Sequence, residues 1–245
     1  VGSEMCIRDS TKGLWVSGPL IQDKLFFFAL AENYESSRSG PEYGAIGTGT
    51  GTTIGISPTQ INRIRDIAQN RYGFDIGTTD VPAGTKMKVE ERMLKLDWNI
   101  NDNHRANLRY SKTSQNEPIF PGFSNSGVAL SSYFYNQDKE IETVVGQVFS
   151  DWTENLSTEF KVSTRDYDSQ PITAAKLPTM SFQFSGPLPS DAPAGTRTGN
   201  RFLNTGTEQS RHNNVLGTKT LDVYAGANYL WGDHEFKVGA DYTQN

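Results

Sequence analysis

Apolar and polar side chains alternate with a period of two residues along much of the chain, which predicts β-strands. Between residues 88 and 100, Leu94 and Leu96 fall on one face, and Lys95 and Asp97 fall on the other. The pattern predicts four hairpins and about eight strands. The clearest predicted strands lie at 22–35, introduced by WVSGPLIQDK, and at 88–100, 106–111, 140–152, 156–163, 221–231 and 235–242. The four short turns between them fall near Asp23, at 101–104, at Glu154-Asn155 and at Gly232-Asp233.

The connections between the hairpins are long, at about 36–85, 112–138 and 169–217. The first of them contains a predicted helix, because Ser57-Pro58-Thr59-Gln60 fits a capping box with proline at the first helical position, and Gly73 fits a helix stop. Connections in compact soluble domains have a median of about 4–6 residues. Short turns that alternate with long loops are typical of transmembrane β-barrels.

The four tryptophans, Trp15, Trp98, Trp152 and Trp231, each lie a few residues before one of the four short turns. An indole has a large apolar body and one polar N–H group, so it is favoured at the border between hydrocarbon and water. We therefore predict that these four residues form a membrane-interface girdle near the short-turn rim. Strand ends are also common sites for tryptophan in soluble proteins, so one such residue alone would carry little weight.

The composition agrees with strands and polar loops. Apolar residues make up 35% of the chain and the mean hydropathy is -0.56, yet aromatic residues reach 11%, and disordered chains are poor in aromatics. The net charge of -5 and the scattered basic residues argue against a nucleic-acid partner. No apolar run approaches the roughly 18 residues of a membrane-spanning helix, and no signal peptide is recognisable.

No catalytic, cofactor-binding or metal site is assigned, and we expect a protein that is not an enzyme. The glycine-rich run at 47–51 lacks the lysine and the spacing of a phosphate loop. His104, His212 and His234 are scattered, and no G-x-S-x-G elbow occurs. Phe182 and Phe184 are interpreted as loop packing.

The stretch WVSGPLIQDKLFFFALAENYESSR at 15–38 resembles the start of the barrel in TonB-dependent outer-membrane receptors of the Oar-like group. ERMLKLDWNINDNHRANLRYS at 91–111, HEFKVGADY at 234–242 and YGFDIG at 72–77 are similar to later parts of the same family. Ser17 stands where the family usually has the first of two glycines. The residues that carry the first and most specific motif include Gly18, Pro19, Asp23, Lys24, Phe26, Phe27 and Phe28.

The resemblance implies a twenty-two-stranded barrel in the outer membrane of a Gram-negative bacterium, closed by an amino-terminal plug. Such a receptor imports a bulky solute with energy relayed by the TonB complex. This chain would supply about eight of the strands, within a partial barrel domain at 11–245. Because neither a plug nor a TonB box is recognisable, we expect the fragment alone to be inactive in transport.

The opening tract VGSEMCIRDS at 1–10 fits none of this and contains Cys6, the only cysteine. Its back-translation resembles the transposon-end adapter of sequencing libraries. We interpret it as an adapter-derived artefact, so Cys6 carries no information about the redox compartment.

Two alternatives stay open at the level of the sequence. A porin or small outer-membrane barrel that works without TonB would show the same alternation. A secreted β-sandwich binding module would also alternate, but its apolar face would be buried in a protein core.

Overall fold

The computed structural model describes residues 9–245 as one large antiparallel sheet with three elaborated connections. Eight long strands follow each other across the sheet in chain order, and each of the six inner strands pairs with the long strand before it and the long strand after it. They are β1 (Asp9–Ile21), β2 (Leu25–Ser37), β5 (Lys86–Asn101), β6 (His104–Ile119), β8 (Tyr135–Thr153), β9 (Leu156–Thr173), β12 (Leu216–Trp231) and β13 (His234–Gln244). The predicted four hairpins and eight strands are confirmed.

The sheet is not closed within the described residues, because β1 and β13 each pair on one side only. The interpretation of 1–10 as adapter-derived concerns mainly residues outside the described part of the chain. Asp9 and Ser10, the last two residues of that tract, begin β1 and pair with Ser36 and Glu35.

Two of the short turns contain a residue with a left-handed backbone conformation. Asp23 has φ 58° and Gly232 has φ 58°, in the left-handed region that aspartate tolerates and glycine adopts freely. Lys24 N donates to Ile21 O at 3.1 Å and closes the first turn.

Prolines within the long strands lie where only one neighbouring strand is present. Pro118 of β6 pairs with β8 beyond the end of the β5 ladder, and Pro171 of β9 pairs with β8 beyond the end of the β12 ladder. Proline has no N–H to donate, so these positions tolerate it. The long strands extend into segments that the sequence predicts as loops. The connections are therefore shorter than predicted, at 38–85, 120–134 and 174–215.

The connections contain structure of their own, namely β3 (Tyr43–Ala45), β4 (Thr52–Ile54), α1 (Pro58–Tyr72), β7 (Gly127–Ala129), β10 (Met180–Phe184), β11 (Arg201–Thr205) and two 3₁₀ turns (Ser131–Tyr133 and Gln209–Arg211). The predicted helix is confirmed as α1. Ser57 and Gln60 form the capping box, and Gly73 ends the helix at φ 72°.

The hydrophobic core lies in the connections. β11 pairs with β10 of its own connection and, in parallel, with β7 of the preceding one. In the part of the chain that the structure describes, the main buried cluster has members from all three connections and none from the eight long strands. Its members are Ala45, Ile54, Ile56, Ile61, Ala68, Ile76, Val128, Leu130 and Leu203. We call the three connections together the cap.

Candidate membrane interface and polar face

Cross-strand register sorts the side chains of the sheet into two faces. Residues that pair directly across neighbouring strands share a face, so a row can be followed from β2 to β13. One such row is Phe27, Leu96, Leu108, Gly146, Val162, Val223 and Tyr242. We call the side that contains this row the apolar face, and the opposite side the polar face.

The apolar face is uncovered within residues 9–245. Leu108 is 50% exposed and Phe160 is 48% exposed. The other two sheets within residues 9–245 are short and belong to the cap, so no second sheet packs here as it would in a sandwich.

The apolar face forms a band with a charged upper border. On the cap side, the five positions of one row from β5 to β12 are all charged, namely Arg92, Lys112, Glu142, Asp166 and Lys219. Within it Lys112 pairs with Glu142 at 2.9 Å, and Lys219 pairs with Asp166 at 3.1 Å. Below this row, the band covers Val144–Trp152 on β8 and Leu221–Trp231 on β12. A tilted strand needs about 9–11 residues to cross the hydrocarbon core, and both lengths agree with that requirement.

Three of the four tryptophans mark the lower border of the band. Trp98, Trp152 and Trp231 lie on the apolar face next to the short turns and are 50%, 59% and 68% exposed. Trp152 Nε1 donates to Thr158 Oγ1 at 2.8 Å, so its polar group has a partner while its rings stay exposed.

Trp15 has a different position. It pairs with Leu30, which pairs with Met93, and this row belongs to the polar face. Trp15 also lies further from its turn than the other three tryptophans, and its ring stacks with Phe28 at 6.4 Å and 18°. The four residues therefore do not form one girdle, and the interface prediction now concerns Trp98, Trp152 and Trp231.

The polar face carries an apolar cluster at one end. Trp15, Phe26, Phe28, Leu30 and Met93 lie together there on β1, β2 and β5, and we call them the aromatic patch. β2 is thus apolar on both faces, because Leu25, Phe27 and Ala29 occupy the other side.

The residues of the family-like motif are divided between the two faces and the first turn. Gly18 and Phe27 pair on the apolar face, while Phe26 and Phe28 belong to the aromatic patch. Asp23 and Lys24 form the turn. Pro19 pairs with Phe26 on the polar face.

Away from the aromatic patch, the polar face includes a groove of about 510 Å³. We call it the basic groove. Its lining contains three cationic side chains and no carboxylate, and consists of Lys95, Asn107, Arg109, Thr143, Val145, Gln147, Lys161 and Ser163. The sequence pattern already placed Lys95 opposite the apolar side chains, but only the register brings Lys95 and Lys161 near Arg109.

The cap is tied together at Ser131-Ser132. Ser131 N donates to Thr78 O at 2.7 Å, and Ser132 Oγ donates to Ile76 O at 2.7 Å. Gly206 N donates to Ser132 Oγ at 2.9 Å, so one serine joins all three connections. Burial, and second the charge of Glu208, raise the pKa of the nearby Tyr133 phenol.

Arg201 is a buried cation within the cap, at 3% exposure. Its Nη1 donates to Gly199 O at 3.2 Å, and its Nη2 donates to Gly186 O at 3.1 Å and Pro187 O at 3.4 Å. It therefore fixes the ends of the segment between β10 and β11. Phe182 and Phe184 of β10 pack against the cap core, which confirms their interpretation as loop packing.

A meander of long antiparallel strands, with one uncovered apolar band and short turns opposite elaborated loops, defines a transmembrane β-barrel protein. No helix within residues 9–245 is long and apolar enough to cross a membrane. The chain matches the family described as outer membrane beta barrel domain over residues 69–245, and it belongs to that family. Comparisons with curated proteins and with solved structures gave no significant match. The sheet is thus part of an outer-membrane β-barrel, and the sandwich alternative is wrong.

Proposed function

We propose that this chain is part of a TonB-dependent outer-membrane receptor of the Oar-like group, which imports a bulky solute and catalyses no reaction. The complete receptor would be a plugged, twenty-two-stranded barrel in the outer membrane of a Gram-negative bacterium. It would receive the energy for import from the TonB complex. The observation that carries the proposal is the aromatic patch on the polar face.

The polar face of a barrel sheet lines the lumen, where water would meet the aromatic patch if the lumen were open. Trp15 is 65% exposed within the described residues, and exposed apolar surface costs about 25 cal/mol per Å² relative to burial. Apolar side chains on both faces are typical of a strand that is covered on both sides. On β2, membrane lipid would cover Phe27, and an element inside the lumen would cover Phe28.

A plug domain is the lumen element that meets this requirement. Large barrels of this kind hold plugged lumens, and the aromatic patch coincides with the motif that resembles the receptor family. The same geometry supports our proposal that lipid contacts the apolar face and that Trp98, Trp152 and Trp231 lie at the periplasmic border. A porin that works without TonB is the second candidate, favoured by the basic groove, because charged lumen walls select ions in open pores.

Photocrosslinking in the full-length protein tests the proposal. A benzophenone amino acid in place of Phe28 should crosslink to a segment encoded upstream of Trp15. The matched control is the same substitution at Phe27, the next residue along β2, which should crosslink to lipid only. If Phe28 yields no protein crosslink, or if the upstream gene encodes no plug, the receptor assignment is wrong. Loss of solute uptake in a strain without TonB is the expected functional result.

A further inference from the structure

We propose that the basic groove is a binding site for a small anionic solute that carries carboxylate or phosphate groups. The role of the groove rests on the proposed transport function, and it names the chemical class of the solute. Three cations line the groove in a chain whose formal net charge is -5. Positive charge is therefore concentrated on this part of the polar face.

Two of the three cations have no carboxylate partner within residues 9–245. Lys95 Nζ pairs with Asp97 Oδ1 at 2.8 Å, whereas Arg109 and Lys161 make no ion pair in the described part of the chain. Arg109 is on β6 and Lys161 is on β9, and one strand, β8, separates them. An anion over Val145 and Gln147 of β8 would lie between both cations.

Two carboxylates beside the basic groove accept hydrogen bonds from neutral side chains. Glu159 accepts from Gln147 Nε2 at 2.7 Å. Asp222 accepts from Thr243 Oγ1 at 2.7 Å and from Ser163 Oγ at 3.3 Å. These contacts hold the acidic groups in place beside the groove, so Arg109 and Lys161 are free to meet an external anion.

The remaining lining supplies neutral donors. The amide of Asn107 and the hydroxyls of Thr143 and Ser163 can donate hydrogen bonds to carboxylate or phosphate oxygens. Hydrogen bonds between a charged donor and an ionised oxygen are about twice as strong as neutral ones. The pair of a guanidinium and an ammonium therefore provides the affinity, and the neutral donors provide orientation.

The size and chemistry of the groove favour a small solute over a plug segment. Its volume of about 510 Å³ lies within the about 300–1,000 Å³ range of small-molecule sites. The aromatic patch is the apolar surface that a protein element would cover, and it lies on β1, β2 and β5. The groove has one apolar lining residue, Val145, and extends towards β9.

Calorimetric titration of the full-length receptor in detergent micelles tests the proposal. The probes are citrate for carboxylates, pyrophosphate for phosphates and maltotriose as a neutral solute. We expect at least one anion to bind saturably at low salt, with weaker binding as salt rises, and no binding of maltotriose. The double variant R109Q/K161Q should lose at least tenfold in anion affinity.

The matched control is R63Q/R71Q, which removes the same charge from two exposed positions of α1 and should bind like wild type. If R109Q/K161Q does not fold, Asn107→Asp provides the test instead. It places a carboxylate in the groove and should therefore weaken anion binding. The charge-preserving R109K/K161R should retain most of the affinity.

Two results overturn the anion site: neither anion binds the wild-type protein, or the double variant binds the anions like wild type. Failure of the transport proposal looks different. If the double variant loses anion binding while uptake persists without TonB, the groove stands and the receptor assignment falls.

Discussion

Gly77 of the first connection lies directly against Ser131 of the second. A Cβ added to Gly77 would overlap Ser131 Oγ and would stand 2.8 Å from Ser132 N. Gly77 also has φ 80°, a conformation that side chains rarely adopt. The contact leaves no room between the two connections, and it fixes their relative position within the cap.

We therefore expect Gly77→Ala to open the cap. The left-handed conformation costs alanine about 1–2 kcal/mol, and the overlap with Ser131 adds about 1–3 kcal/mol. Gly84→Ala is the matched control, because Gly84 has φ 72° with open space around it. Hydrogen exchange of the cap amides measures the difference. Equal exchange in the two variants would contradict the tight contact.

Arg201→Ala should release the segment between β10 and β11. The substitution removes the hydrogen bonds to Gly186, Pro187 and Gly199, and bonds from a charged donor are worth about 1.5–3 kcal/mol. Limited proteolysis of this segment should accelerate. Arg197→Ala, at an exposed position of the same segment, should change nothing. An unchanged digestion pattern for Arg201→Ala would argue against its anchoring role.

Quenching of tryptophan fluorescence by brominated lipids tests the membrane position. In single-tryptophan variants of the full-length protein, Trp98, Trp152 and Trp231 should be quenched most by bromines near the headgroups, because they border the apolar band. Trp15 provides the internal control and should be quenched little, since it faces the other way. Shielding of all four residues from lipid would contradict the assignment of the apolar face.

An arginine scan of β6 separates the two faces. Leu108→Arg places a charge in the middle of the apolar band, which costs about 2–4 kcal/mol in a barrel. Ser111→Arg is the control on the same strand, because Ser111 lies on the polar face. Urea unfolding in lipid vesicles should show a large loss of stability for the first variant only. Similar losses for both would mean that the two faces share one environment.

The hairpins and α1 follow from local sequence. Alternation sets the strand faces from β5 to β13, and the capping box at Ser57 with Gly73 sets the ends of the helix. These features depend on residues that are close in the chain, so they can be predicted without tertiary information.

The face of Trp15 could not be predicted in this way. Its stretch, Leu14-Trp15-Val16, is apolar at consecutive positions, so alternation does not assign a side. Only pairing with Leu30 and Met93 places it on the polar face. The basic groove was missed for a related reason, since it requires the register that relates Arg109 to Lys161 across β8.

The cap was missed because its contacts join distant segments. Ser132 bonds to Ile76 and Gly206, which are 56 and 74 residues away in the chain. The connections lack a regular apolar period, and their apolar residues become a core only when the barrel strands bring the three loops together.

The shared core of the three connections has an immunological consequence. An antibody or bacteriophage that recognises the tip of this protein would contact a discontinuous epitope assembled from all three connections. Peptides copied from any single connection would then compete poorly for such a binder, and immunisation with the intact protein would be required to raise it.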